Sequence, residues 1–215
     1  MPTLSPRKRR KQHQQHEKEA ARRAAMASAV IGGSLGAAGA VLFERSHASA
    51  LDLPTVPSVD LKRYAGLWHE IARLPVRFQL ADSVATAEYS LNDDGTVQVH
   101  NTAYIGTRQV DAITGKAVSV DPGVNSRLSV SFGGITRLFA RPHRGNYWVL
   151  GLDDEYTLAL VGTPDRSKLW LLARDPDAYG SPGANELLQH AVSLGFDTSK
   201  LLVADWDKRH IRRRT

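Results

Sequence analysis

The sequence predicts an all-β protein: an eight-stranded antiparallel up-and-down barrel, followed by a C-terminal α-helix and a short final strand. Three observations predict it. From about residue 66 onward, short runs of alternating apolar and polar residues recur at close spacing, the period of strands that bury one face. Turn chemistry separates the runs, as in Asn92-Asp93-Asp94-Gly95, Asp121-Pro122-Gly123 and Thr163-Pro164-Asp165-Arg166. The links are of meander length, so consecutive strands can pair as neighbours.

Strands are expected near 67–74, 84–91, 96–103, 109–121, 126–132, 145–152, 156–162 and 168–174. The alternation then stops. Pro182 to Leu194 places Leu187, Leu188, Ala191 and Leu194 on one helical face, with Ser181 positioned to cap the first turn and Gly195 to end the last. Leu201-Leu202-Val203-Ala204 is the short final strand.

A chain of 215 residues with 42% hydrophobic content suits one domain plus accessory segments. Its formal charge of +6 suggests a nucleic-acid partner until the charge is placed along the chain. Residues 1–23 hold eight Lys or Arg against two Glu, whereas residues 51–206 hold 14 basic and 18 acidic residues. The folded body is therefore not expected to be a surface for the phosphates of a nucleic acid, and no nucleic acid is expected as a partner. The absence of cysteine removes disulfides, thiolate metal sites, thiol catalysis and the lipidated cysteine of a bacterial lipoprotein.

Three segments follow: residues 1–50, a basic arm with a signal peptide or membrane anchor; 51–206, the barrel; and 207–215, a basic C-terminal tail expected to be solvated. Within the first, residues 24–43 form a 20-residue run without a charge, and Ala48-Ser49-Ala50 is the small-x-small pattern a signal peptidase accepts. Cleavage after Ala50 is the simplest reading. The run is also long enough to span a bilayer of about 30 Å with its basic flank cytoplasmic, so an uncleaved anchor is the alternative. Either form predicts membrane association through this segment and a place at the cell envelope.

Three blocks carry a family resemblance. Residues 59–73 contain a short helical turn and then Gly66-Leu67-Trp68 at the opening of the first strand; Asp153-Asp154-Glu155-Tyr156 leads into the seventh, with Tyr156 as its first residue; and Leu169-Trp170-Leu171-Leu172-Ala173-Arg174 carries the eighth to an arginine. With the helix and Gly195-Phe196-Asp197 behind them, these blocks identify residues 57–206 as resembling a lipocalin barrel, in particular the bacterial and apolipoprotein D-like branch. His69 departs from the tyrosine common at that position. The resemblance implies structural roles for Gly66, Trp68, Asp153, Tyr156 and Arg174, with Trp68 plugging the closed end and the Arg174 guanidinium lying over its indole, a cation–π pair of about 1 to 2 kcal/mol.

Alternation then names the lining. If Trp68 points inward, so do Glu70, Ala72 and Leu74; the next strands add Ala85, Ala87, Tyr89 and Leu91, then Val97 and Val99, then Leu128, Val130 and Phe132. His69 turns outward, to simple exposure. Glu70 is the one ionisable group sent inward on the first strand, and in a low-dielectric cavity it needs a hydrogen-bond partner or a raised pKa. In the link from Phe132 to His143, Leu138 and Phe139 sit among Arg137, Arg141 and Arg144, suited either to solvent or to anionic headgroups.

Residues 51–215 lack a Gly-x-Ser-x-Gly elbow, the one such run, Gly32-Gly33-Ser34-Leu35-Gly36, falling inside the apolar segment; the chain has no phosphate-binding glycine loop and no His-Glu-x-x-His site, and its eight histidines have no metal-ligand spacing. No catalytic residue, metal or cofactor is implied. What the resemblance implies is binding, without catalysis, of a small hydrophobic ligand, a fatty acid, lysophospholipid or similar lipid, in the barrel calyx. Two alternatives stand beside it: a lipid-modifying enzyme of the same fold, in which Glu70 is the residue to suspect, and an anchored envelope protein that recruits partners with its outer surface. The sequence carries no signal of oligomeric state.

Overall fold

The computed structural model describes residues 53–133 and 144–213. The arm, the apolar run, the cleavage motif and most of the link between Phe132 and His143 lie outside the described residues. A short helix, α1 (Leu61–Tyr64), leads into β1 (Gly66–Arg73), and the chain then meanders through β2 (Val84–Leu91), β3 (Val97–Ile105), β4 (Arg108–Ser119) and β5 (Arg127–Phe132). It continues through β6 (Tyr147–Leu152), β7 (Leu158–Gly162) and β8 (Leu169–Ala173). Each strand pairs antiparallel with the next, and β1 pairs with β8, so an eight-stranded barrel closes with no free edge between them.

Local chemistry explains the joints. Asp60 caps α1 by accepting from the Lys62 and Arg63 amides. Gly66 has φ of +94°, and a Cβ there would lie 3.3 Å from Arg174 Nη1, so glycine serves both the turn and the arginine. The β5–β6 seam has only two paired positions, and a side chain extends it: Asn146 accepts from the Val130 N–H and donates to the Val130 carbonyl, at 2.8 and 2.9 Å.

After β8 comes α2 (Pro182–Ser193), capped by Ser181 with Pro182 in its first turn. It covers the outer face of the barrel, where Trp148, Leu150, Leu160, Leu171, Ala184 and Ala191 form a buried cluster. Leu187 packs so closely over Gly151 that any Cβ there would clash. A 3₁₀ turn (Thr198–Lys200) leads to β9 (Leu202–Asp205), which pairs with the last residues of β1.

The tail departs from expectation. Residues 210–213 form a further strand, β10 (His210–Arg213), paired with β9, so this part of the tail is structured. Ile211 supplies the reason: it is buried with Val84 and Ala204, on the outside of the barrel where β1 and β2 part.

Candidate functional site

Registers across the sheet fix which side chains face into the barrel. Trp68 pairs with Ala87, Tyr89 with Val99, Val99 with Gly115, Ala117 with Val130, and Leu172 with Glu70. Residues on one face of paired strands share a direction, so these all point inward. Ala87, Tyr89, Val97, Val99, Leu128, Val130 and Phe132 fall in one inner cluster with Trp68, and Ala85, opposite Ala103, continues the same face toward the open end. Leu91 also lies on this face but is exposed at the closed end.

Ala72 and Leu74 do not line the interior. The β1–β8 register slips between Glu70 and Ala72, a bulge centred on Ile71. Beyond it the faces exchange: Ile71, Ala72 and Leu74 join the cluster beneath α2, while Arg73 takes the inward place opposite Trp170. The bulge thereby sets Arg73 beside Glu70, with Nη1 2.8 Å from Oε1, both buried. Burial pushes the Glu70 carboxyl above its ordinary pKa, opposed by Arg73 and by a hydrogen bond from Gln79. Arg73 also donates to the carbonyls of Leu80 and Ser83, at 3.0 and 3.1 Å, so the pair ties the β1–β2 connection across the open end.

The closed end is built around Trp68, which is fully buried and donates from its indole to the Tyr64 carbonyl. The Arg174 guanidinium lies 3.9 Å from the indole centroid and donates to the carbonyls of Leu67, Arg63, Tyr64 and Ala65. Asp153 closes the β6–β7 turn by accepting from the Thr157 and Leu158 amides. Tyr156 is in this turn at φ of +58°, not in the strand, and its hydroxyl accepts from the Asp60 amide. His69 is half-buried rather than simply exposed: its ring meets Trp206 edge-on at 4.8 Å, and Nδ1 lies 2.9 Å from the Arg174 carbonyl.

Three tyrosines add a polar spot above this floor. The Tyr147 hydroxyl lies 2.7 Å from that of Tyr64 and 3.0 Å from that of Tyr89. Burial drives the Tyr89 hydroxyl up to about 12 and those of Tyr64 and Tyr147 well above their ordinary value, so all three stay neutral. Three hydroxyls carry three protons, and two bonds between them use two. One donor is left for a guest. Among the described residues Asn101 Oδ1, on the inward face of β3, is buried without a hydrogen-bond partner and offers an acceptor.

Alternation missed Tyr64, Arg73, Tyr147, Asn101 and Trp170. Continuing the inward face of β3 past Val99 would have found Asn101, and the alternation of Trp170 with Leu172 would have found the former. Only the bulge could reveal Arg73.

The family model for a lipocalin-like domain matches residues 59–205. Temperature-induced lipocalin-1 of Arabidopsis thaliana is 38% identical over 156 residues, 70% of this chain and 81% of that protein. The outer membrane lipoprotein Blc of Escherichia coli K12 is 40% identical over 148 residues, 68% of this chain and 79% of Blc. Apolipoprotein D of Bos taurus is 30% identical over 159 residues, with 71% and 79% covered.

Proposed function

This chain belongs to the lipocalin family, and on that premise we propose that its barrel is a calyx for one small hydrophobic molecule: a fatty acid, a lysophospholipid or a lipid of similar size. The observation that carries the proposal is the inner wall. Ala87, Val130, Phe132 and Trp170 face inward, yet each is only half-buried, so the interior above the sealed floor is apolar and open to solvent. Such a surface gains by taking an apolar guest, at roughly 25 cal/mol per Å² removed from water. The spare tyrosine proton and Asn101 Oδ1 supply the few polar contacts that orient a guest in an otherwise apolar pocket.

On this proposal Glu70, Ala85, Ala87, Tyr89, Val97, Val99, Leu128, Val130 and Phe132 serve the ligand, Glu70 through its pairing with Arg73. The protein binds and does not turn over its cargo. It works at the cell envelope, a placement supported by the basic and apolar segments ahead of the barrel and by relatives named outer membrane lipoproteins. Isothermal titration of delipidated full-length protein with fatty acids of ten to eighteen carbons and with a lysophospholipid tests the reading. A dissociation constant near micromolar is expected, about −8 kcal/mol, strengthening with chain length. Absence of heat across the whole series would leave the calyx without cargo.

A further inference from the structure

The two ends of the barrel carry opposite charge. The closed-end segments 60–65, 92–96, 120–126, 153–157 and 174–181 hold nine Asp or Glu against three Lys or Arg. Among the described open-end connections, 74–83, 106–107, 144–146 and 163–168, there are four Lys or Arg against two Asp. Two further arginines join that end, the second in the β9–β10 turn with Asp207 and Lys208 beside it. Arg108 opens β4, and Arg209 is held at the β3–β4 turn, where its carbonyl accepts from the Gly106 amide and its guanidinium lies 5.3 Å from the Tyr104 ring centroid.

The same end presents apolar side chains to water. Phe78 is 66% exposed and Leu80 57% exposed, both in the β1–β2 connection and next to Arg77. They do not stand out because the loop is loose. Its backbone is tied from below by Arg73, which takes the carbonyls of Leu80 and Ser83, and by Gln79, which donates to Glu70. A buried ion pair thus fixes a connection whose two largest apolar side chains point away from the core.

We propose that the open end is a docking surface for an anionic phospholipid bilayer, with Phe78 and Leu80 entering the headgroup region, Arg77, Arg108, Arg144 and Arg209 facing the phosphates, and the acidic closed end held away from the membrane. Charge complementarity commits the surface to this partner. Basic residues near an anionic bilayer are each attracted to it, aromatic and aliphatic side chains bury at its interface, and acidic turns are repelled from it. The inference rests on the calyx proposal, since this orientation brings the mouth of the barrel to a source of lipid.

The lack of cysteine permits a direct test, because one introduced cysteine carries a dye at one known place. An environment-sensitive dye is placed on the full-length Ala81→Cys variant, beside Phe78 and Leu80, and in a second preparation on Asp93→Cys, at the closed end. The basic N-terminal arm can itself hold the chain at an anionic vesicle, so the readout is local polarity at the dye and not bound fraction. With vesicles of phosphatidylcholine and phosphatidylglycerol the dye at 81 should shift to the blue and lose its quenching by aqueous iodide, the dye at 93 should do neither, and pure phosphatidylcholine should produce neither at 81. Adding Arg77→Glu and Arg209→Glu, or Phe78→Asp and Leu80→Asp, to Ala81→Cys should weaken the response at 81 at least about tenfold in lipid concentration, with near-ultraviolet circular dichroism verifying the fold. An unchanged dye at 81, an equal response at 93, or charge-reversed protein that responds like its parent would overturn the proposal. Fatty-acid titration without vesicles is a separate arm: binding there with no response at 81 removes the docking surface and leaves the calyx standing, and no binding there removes the calyx itself.

Discussion

Arg174 is the residue whose removal the closed end should feel most. Its guanidinium lies 3.9 Å from the Trp68 centroid and donates to the carbonyls of Leu67 at 2.7 Å, Ala65 at 2.8 Å, Arg63 at 3.0 Å and Tyr64 at 3.2 Å. Those of Arg63, Tyr64 and Ala65 belong to the end of α1 and its turn into β1, carbonyls that an ordinary helix end would leave unsatisfied, and that of Leu67 lies just inside β1. The cation–π contact contributes about 1 to 2 kcal/mol, and charge-assisted bonds to carbonyls contribute about 1.5 to 3 kcal/mol each when water is excluded. Arg174 is only partly buried, so water replaces some of these bonds in a truncated side chain and the contributions do not sum. Arg174→Ala is therefore expected to lose about 3 kcal/mol. Arg174→Lys keeps the cation but not the planar fork, and should lose about half of that. Urea unfolding followed by tryptophan fluorescence measures both, with the denaturant slope unchanged if the fold is intact. A loss below about 0.5 kcal/mol for the alanine variant, or a lysine variant as stable as wild type, would refute the reasoning.

Two further perturbations address the wall of the calyx and the ends of the chain. Glu70 has a folded pKa raised by burial, so the folded state holds its proton more tightly than the unfolded chain does; its contribution to stability is full below the unfolded value near about 4.3 and is lost as pH rises through the folded value. The stability of wild type relative to Glu70→Gln should accordingly fall as pH rises above about 4, and urea titrations showing a flat or rising difference would contradict the assignment. Fractionation of cells making the full chain should find the barrel outside the cytoplasm, with an N-terminus at Leu51 if the segment is cleaved and an intact chain in the membrane fraction if it is an anchor; intact protein in the cytosolic fraction would rule out both.

The barrel was legible because its strands bury one face and advertise it with a period of two, and because Asn92-Asp93-Asp94-Gly95 and Thr163-Pro164-Asp165-Arg166 mark the connections. The second half of β1 was not. Glu70, Ile71, Ala72, Arg73 and Leu74 are all buried, since α2 covers one face and the calyx the other, and a strand buried on both sides has no alternation in which to see a bulge. That one extra residue moved Ala72 out of the site and Arg73 into it. The tail misled for a different reason: Lys208, Arg209 and the arginines after Ile211 read as solvated, while a single buried Ile211 and backbone pairing with β9 give β10 its place. Tyr64, Tyr89 and Tyr147 meet only because α1, β2 and β6 converge above Trp68, and nothing in their spacing along the chain announces it. Trp68 and Arg174, 106 positions apart, were legible as a pair only through the motif that contains them.

The central claim is that cargo sits inside the barrel, and β2 offers a paired test of it. Ala87 faces the calyx and its neighbour Glu88 faces solvent, so tryptophan at either position adds the same bulk to opposite sides of one strand. Titration of each full-length, delipidated variant with a sixteen-carbon fatty acid should show that Ala87→Trp has lost binding by at least about tenfold, more than 1.4 kcal/mol, while Glu88→Trp binds as wild type does. Equal binding by both variants, with both folded, would contradict a ligand held in this calyx.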